Sequence, residues 1–186
     1  NPCMYKLIAF TIHFNGISLY EVSLLIKETQ YIYFKVKDNR KNIQRNNEYM
    51  IVHHGTRDEN LYSLIRNGPM NFNKYILHGR AYGNGFYTST NFNASLAYSG
   101  RNGYILTYKL YQGKGNVKGN RTIHVVENVD LLELIGITPC SIILKLDKMP
   151  NFEDSVKFSG TESKISHKRL LNDIKNLQSL DIEHGI

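Results

Sequence analysis

Tryptophan is absent from this chain, and cysteine occurs only twice and proline four times in 186 residues. Cys3 and Cys140 lie far apart and outside any CxxC or Cys/His spacing, which argues against a disulfide framework and against a zinc site. No metal is therefore expected, and a reducing intracellular compartment, cytoplasmic or nuclear, fits this cysteine usage. No basic segment followed by an apolar run is present, so neither a signal peptide nor a transmembrane helix is expected. With Asn1 rather than a methionine at its start, the chain reads as an excised soluble domain. Internal repeats are also lacking.

What is present is a basic excess, with a formal charge of +7 and a pI near 9.3. Lys35, Lys37, Arg40, Lys41 and Arg45 form its densest run, which makes nucleic acid a partner to consider, although acids are interspersed elsewhere. Aromatic and β-branched residues crowd into residues 4–14 and 31–37, and again in Tyr49 to His53 and Tyr104 to Tyr111, and these read as strands. Leu61, Leu64 and Ile65 recur at helical spacing behind Asp58, a candidate cap, and Asn67-Gly68 supplies a stop. A second short helix is expected over 91–99, carrying Phe92, Leu96 and Tyr98 after Ser89 and Thr90. The glycine-rich stretch Gln112 to Asn120 reads as an exposed loop before the apolar run Thr122 to Val126. Ile165, Leu170, Leu171, Ile174, Leu177 and Leu180 suggest an amphipathic terminal helix. Short strands with short interspersed helices imply an α+β domain on an antiparallel sheet.

Two glycine-bearing segments carry the chemistry, residues 53–68 (HHGTRDENLYSLIRNG) and 82–99 (YGNGFYTSTNFNASLAYS). Taken singly, a His-Gly-Thr after a strand is ordinarily a turn with a satisfied histidine. Gly83-Asn84-Gly85 fails as a Rossmann fingerprint, because Thr88 stands where the third glycine belongs and the βαβ context is missing. Their order and separation carry more. His54-Gly55-Thr56-Arg57, followed by Asn60 and Asn67-Gly68, resembles the H-G-[ST]-R segment of the poly(ADP-ribose) polymerase superfamily. Gly83-Asn84-Gly85-Phe86-Tyr87, then Ser95 and Tyr98, resembles that family's G-x-G-[IVF]-Y segment and the small helix after it. The resemblance covers about residues 49–137.

The resemblance implies the ADP-ribosyltransferase fold, two packed antiparallel-rich sheets with short helices around an NAD cleft, over residues 1–150. Residues 151–186 would be a partly helical extension. It implies NAD as the ADP-ribose donor, with no metal, and a protein acceptor, which includes the chain itself. By carry-over, Tyr87 and Tyr98 hold the cationic nicotinamide ring between them by stacking and cation-π attraction. Gly55 and Ser95 hold its carboxamide, and His54 orients the nicotinamide-side ribose. Thr56 and Arg57 lie nearer the adenosine end, and Pro69 to Arg80 corresponds to the donor loop. Strand alternation sends His53 to the opposite face from His54.

The family's third motif position, a glutamate in its polymerases, is the point of departure. The preferred register aligns residues 122–138 (TIHVVENVDLLELIGIT) with the short mono-transferring branch that includes the tail-anchored endoplasmic-reticulum member, and it puts Ile123 there. Ile123 cannot accept a hydrogen bond from a ribose hydroxyl, so single transfers are expected rather than chain growth. A competing register puts Glu133 there, which would permit polymer, and Glu127 is a third candidate. A catalytically silent NAD or ADP-ribose binder is the remaining alternative, against which the full His54, Tyr87, Ser95 and Tyr98 set argues.

Overall fold

Density of β-branched and aromatic residues makes strands, and several of them bury side chains on both faces. The computed structural model describes residues 4–14, 16–26, 29–69, 81–111 and 117–153. Strands β1 (Met4–Phe14), β2 (Ile17–Ile26) and β3 (Thr29–Asp38) form an antiparallel meander. They are followed by β4 (Tyr49–Thr56), helix α1 (Asp58–Asn67), β5 (Phe86–Ser89), α2 (Phe92–Ser99) and β6 (Tyr104–Tyr111). After these come β7 (Val117–Gly119), β8 (Ile123–Val126), a single 3-10 turn at Val129–Leu131, β9 (Leu132–Pro139) and α3 (Cys140–Leu146).

The nine strands of the described residues lie in one order, β1-β2-β3-β9-β6-β4-β5-β8-β7. The two antiparallel sheets expected from the sequence are therefore two halves of one hydrogen-bonded sheet. They meet between β4 and β5 at one register pair, His53 with Ser89. Phe86 of β5 nevertheless reaches across β4 to set its ring edge-on against Tyr108 of β6, with centroids 5.8 Å apart. The β5 half thus bends over the core face of β4.

On that face Val52, Leu106, Tyr108, Leu110, Leu132, Leu134 and Ile137 pack with Leu64 and Ile65 of α1. On the other face Ile105, Cys140 and Ile143 pack with Phe92 and Leu96 of α2. Each such side chain removed from water contributes about 1.5–3 kcal/mol before entropy is charged against it. Coverage of both faces explains why β2 does not announce itself in the sequence. Ile17, Ser18, Leu19, Glu21 and Val22 are all buried, so no polar-apolar alternation survives.

Local details depart from expectation. Arg57, not Asp58, occupies the cap of α1 and makes no side-chain cap bond. Asp58 lies in the first turn, where its carboxylate accepts the Glu59 N–H at 3.0 Å and faces the positive end of the helix dipole. Asn91 caps α2 by accepting the Asn93 N–H, while Ser89 accepts the N–H of Asn91 itself. Within the stretch read as a loop, Val117–Gly119 forms β7 against β8. Residues 70–80, most of the stretch expected to be the donor loop, and residues 165–180, expected to form a terminal helix, lie outside the described residues. Among the described residues no helix is long and apolar enough to cross a membrane.

Candidate active site

Beyond His53 the two halves of the sheet part, and β4 keeps register only with β6, from His54 opposite Leu106 to Thr56 opposite Tyr104. Helix α2 lies directly on β4 at this place. A Cβ on Gly55 would sit 1.8 Å from the carbonyl oxygen of Ser95, so only glycine permits the approach. Gly103 repeats the requirement, since its Cβ would stand 2.0 Å from Ser99 O and 2.4 Å from Thr56 O. The Ser95 hydroxyl is buried and donates to the carbonyl of His53 at 3.0 Å. With its one proton committed there, that oxygen keeps its lone pairs for an incoming N–H.

His54 projects where the strands separate. Its Nδ1 is 2.8 Å from the carbonyl of Tyr87, and its ring stacks on Phe86 with centroids 4.2 Å apart and planes 29° apart. A carbonyl only accepts, so Nδ1 carries the proton and Nε2 presents a lone pair. Burial lowers the pKa of His54 below its ordinary value, against a smaller raising effect from the Tyr87 carbonyl. The ring is therefore neutral near pH 7, a positioned acceptor rather than a cation.

His53 faces the other way, as strand alternation requires, with Nδ1 3.1 Å from the Thr107 hydroxyl and 8 % of its surface exposed. Burial pushes its pKa down from 6.5 to about 4. The unfolded chain takes up that proton first as pH falls, so the contribution of neutral His53 is complete above the ordinary value and is lost progressively down to about 4. Stability should fall by about 2 kcal/mol between pH ~7.5 and ~5 from this residue alone. Burial lowers His54 and His124 too, so they act with the same sign. Urea midpoints across that range test this, and a midpoint that stays level or rises toward pH ~5 contradicts it.

Tyr87 is half-buried, its hydroxyl donating to Gly83 O at 2.8 Å and accepting the N–H of Tyr82 at 3.2 Å. Tyr98 is 72 % exposed, a large ring left uncovered on the same helix whose Ser95 is buried. Thr56 is buried, its hydroxyl 3.3 Å from Arg57 O, whereas Arg57 is exposed and reaches Glu59 at 3.7 Å. Ile123 begins β8 and pairs with Ser89, which pairs with His53, so it stands in one row with the β4–β5 junction. Glu133 stands elsewhere, on β9 beyond β6, opposite Lys109. Its carboxylate is bound by the Tyr111 hydroxyl and by Arg45 at 3.2 Å. Glu127 pairs with Lys118. Of the basic run, Arg40 is paired with Asp38 and Arg45 with Glu133, which leaves less free charge than the composition suggests. Among the described residues no three His, Cys, Asp or Glu side chains come together as metal ligands.

Sequence reasoning passed over Tyr82 and Asn120. Asn120 accepts the N–H groups of Thr122 and Ile123, both at 2.8 Å, and donates its own amide proton to Tyr82 Oη at 2.8 Å. The turn-forming part was legible in Asn120 following Gly119, but the partner 38 positions away was not.

The family model of the poly(ADP-ribose) polymerase catalytic domain matches residues 11–127. Neither the curated proteins nor the solved structures yielded a match.

Proposed function

Because the chain belongs to the poly(ADP-ribose) polymerase catalytic-domain family, we propose that it transfers single ADP-ribose units from NAD to a protein acceptor, itself included. The observation that carries this reading is His54, kept neutral by burial and oriented by the Tyr87 carbonyl at the place where β4 and β5 part. NAD fits what surrounds it. Gly55, lacking a Cβ, lets α2 lie close enough to bring Ser95 onto β4, the Ser95 oxygen has lone pairs to spare, and Tyr98 offers an uncovered aromatic face.

When bound, NAD supplies the ADP-ribosyl group and, in nicotinamide, its leaving group. The backbone of Gly55 and the Ser95 hydroxyl hold the carboxamide, while Tyr87 and Tyr98 close on the faces of the ring. The Nε2 lone pair of His54 accepts from a ribose hydroxyl and so orients the anomeric carbon without moving a proton. Ile123 offers no lone pair, so a second sugar hydroxyl finds no polarising group and the acceptor must bring its own nucleophile. A carboxylate already ionised at neutral pH suits that need, which makes Glu or Asp the acceptor residue. Ile123 lies opposite Ser89 and so on the same face of the β5–β8 ladder as Tyr87, which supports this register over the one using Glu133, whose carboxylate is engaged two strands from β4.

Incubation with labelled NAD tests both parts. The expected product is a sharp labelled band from single units, and Glu133→Gln should leave its intensity within about twofold. Ile123→Glu should not by itself produce long chains, because elongation also needs a site for the growing polymer. A ladder of long polymer from the unmutated domain, abolished by Glu133→Gln, reverses the assignment of the third position.

A further inference from the structure

Tyr82 and Asn120 belong to none of the residues assigned to NAD, yet they join the two sides of the site. Asn120 sits in the turn between β7 and β8, its N–H donating to Ile123 O at 2.9 Å and its side-chain oxygen accepting from Thr122 and Ile123. A carboxamide has one oxygen and one NH2, so committing the oxygen to the turn aims the NH2 outward, and Tyr82 Oη receives it at 2.8 Å. At its other end Tyr82 gives its backbone N–H to Tyr87 Oη, which in turn donates to Gly83 O. The tip of the Tyr87 ring is therefore tied to the backbone of residues 82 and 83. That backbone is tied through the Tyr82 side chain to the turn that carries Ile123.

The segment needs such a restraint. Gly83 has φ 92° with nothing within 4 Å of a would-be Cβ, and Gly85 has φ 151°, so two glycines of wide conformational freedom bracket Asn84. We propose that the Tyr82–Asn120 hydrogen bond is a latch that positions Tyr87 against the nicotinamide end of the donor, making Tyr82 and Asn120 positioning residues. This rests on the donor-site reading above. A latch acting through Tyr87 affects the nicotinamide end and spares the ADP-ribose end, whereas general loosening of the fold would weaken both alike.

Calorimetric titration of the whole chain with benzamide, a nicotinamide mimic, and separately with ADP-ribose distinguishes these. Tyr82→Phe removes one hydroxyl and should weaken benzamide about fivefold to tenfold, the range for one lost hydrogen bond, while ADP-ribose changes less than about twofold. Asn120→Ala should weaken benzamide at least as much, since it also removes the turn's own bonds, and the double variant should be no weaker than Asn120→Ala alone, because the bond to Tyr82 is already gone. Asn120→Asp should restore benzamide affinity, because a carboxylate still serves the turn and accepts the phenol proton of Tyr82. Unchanged benzamide affinity in Tyr82→Phe overturns the latch while leaving the donor site intact, as do equal losses for the two probes. A wild-type chain that binds neither probe overturns the donor-site reading and the latch with it.

Discussion

Gly55→Ala is expected to abolish NAD binding and to lower stability by about 3 kcal/mol or more, at the upper end for overpacking. The added methyl would lie 1.8 Å from Ser95 O, 2.7 Å from Ser95 C and 3.3 Å from Ser99 N. All three are backbone atoms of α2, so no rotamer change relieves the overlap and the helix itself must shift away from β4. That shift pulls Phe92 and Leu96 off Ile105, Cys140 and Ile143, and it breaks the Ser95 bond to the His53 carbonyl. It also displaces Ser95, whose hydroxyl is proposed to receive the carboxamide. Urea denaturation measures the stability loss, and thermal shift with saturating NAD measures binding. An alanine variant within about 1 kcal/mol of the parent that NAD still stabilises would mean that α2 is not held against β4 as described.

Much of the site was legible because its requirements are local. Asn67-Gly68 had to end a helix, and the aromatic run Tyr104–Tyr111 coincides with β6 residue for residue, whereas the close approach that the structure shows at Gly55 is that of α2. Strand alternation correctly sent His53 and His54 to opposite faces, where the structure gives them to Thr107 and to Phe86 with the Tyr87 carbonyl. What escaped depends on partners distant in sequence. Both faces of β2 are covered, which erases its period, and β9 and α3 are not told apart by the sequence because Leu132 to Leu146 is apolar over most of its length. That β5 crosses over β4 to touch Tyr108 could not be inferred from a strand of four residues. The close approach of Gly103 to the carbonyl of Thr56 is likewise a contact that no local pattern announces.

His54→Ala should reduce transfer at least about a hundredfold, the scale of losing a positioning contact to the reacting sugar. His53→Ala should keep most activity when assayed well below its melting temperature. Each residue is partly or fully buried, so both substitutions leave a cavity and both should cost stability. The difference between them lies in what each ring can reach. His53 spends Nδ1 on the Thr107 hydroxyl on the α2 side of β4, whereas His54 is turned by the Tyr87 carbonyl so that Nε2 is its remaining acceptor. The pH profile of the parent adds an independent reading. Burial keeps the pKa of His54 below its ordinary value, so the acceptor lone pair is intact across neutral pH and is lost only on protonation in acid. Transfer should therefore be level around neutrality and decline toward acid, with no requirement for a protonated imidazole. His54→Gln should not restore the rate, because a carboxamide cannot hold the Tyr87 carbonyl and present a lone pair at the spacing of an imidazole ring. Measuring initial rates with labelled NAD for all three variants, with circular dichroism to establish that each is folded, decides the matter. Equal losses from folded His53→Ala and His54→Ala would show that the two rings act together, and the assignment of His54 as the sole ribose contact would then be wrong.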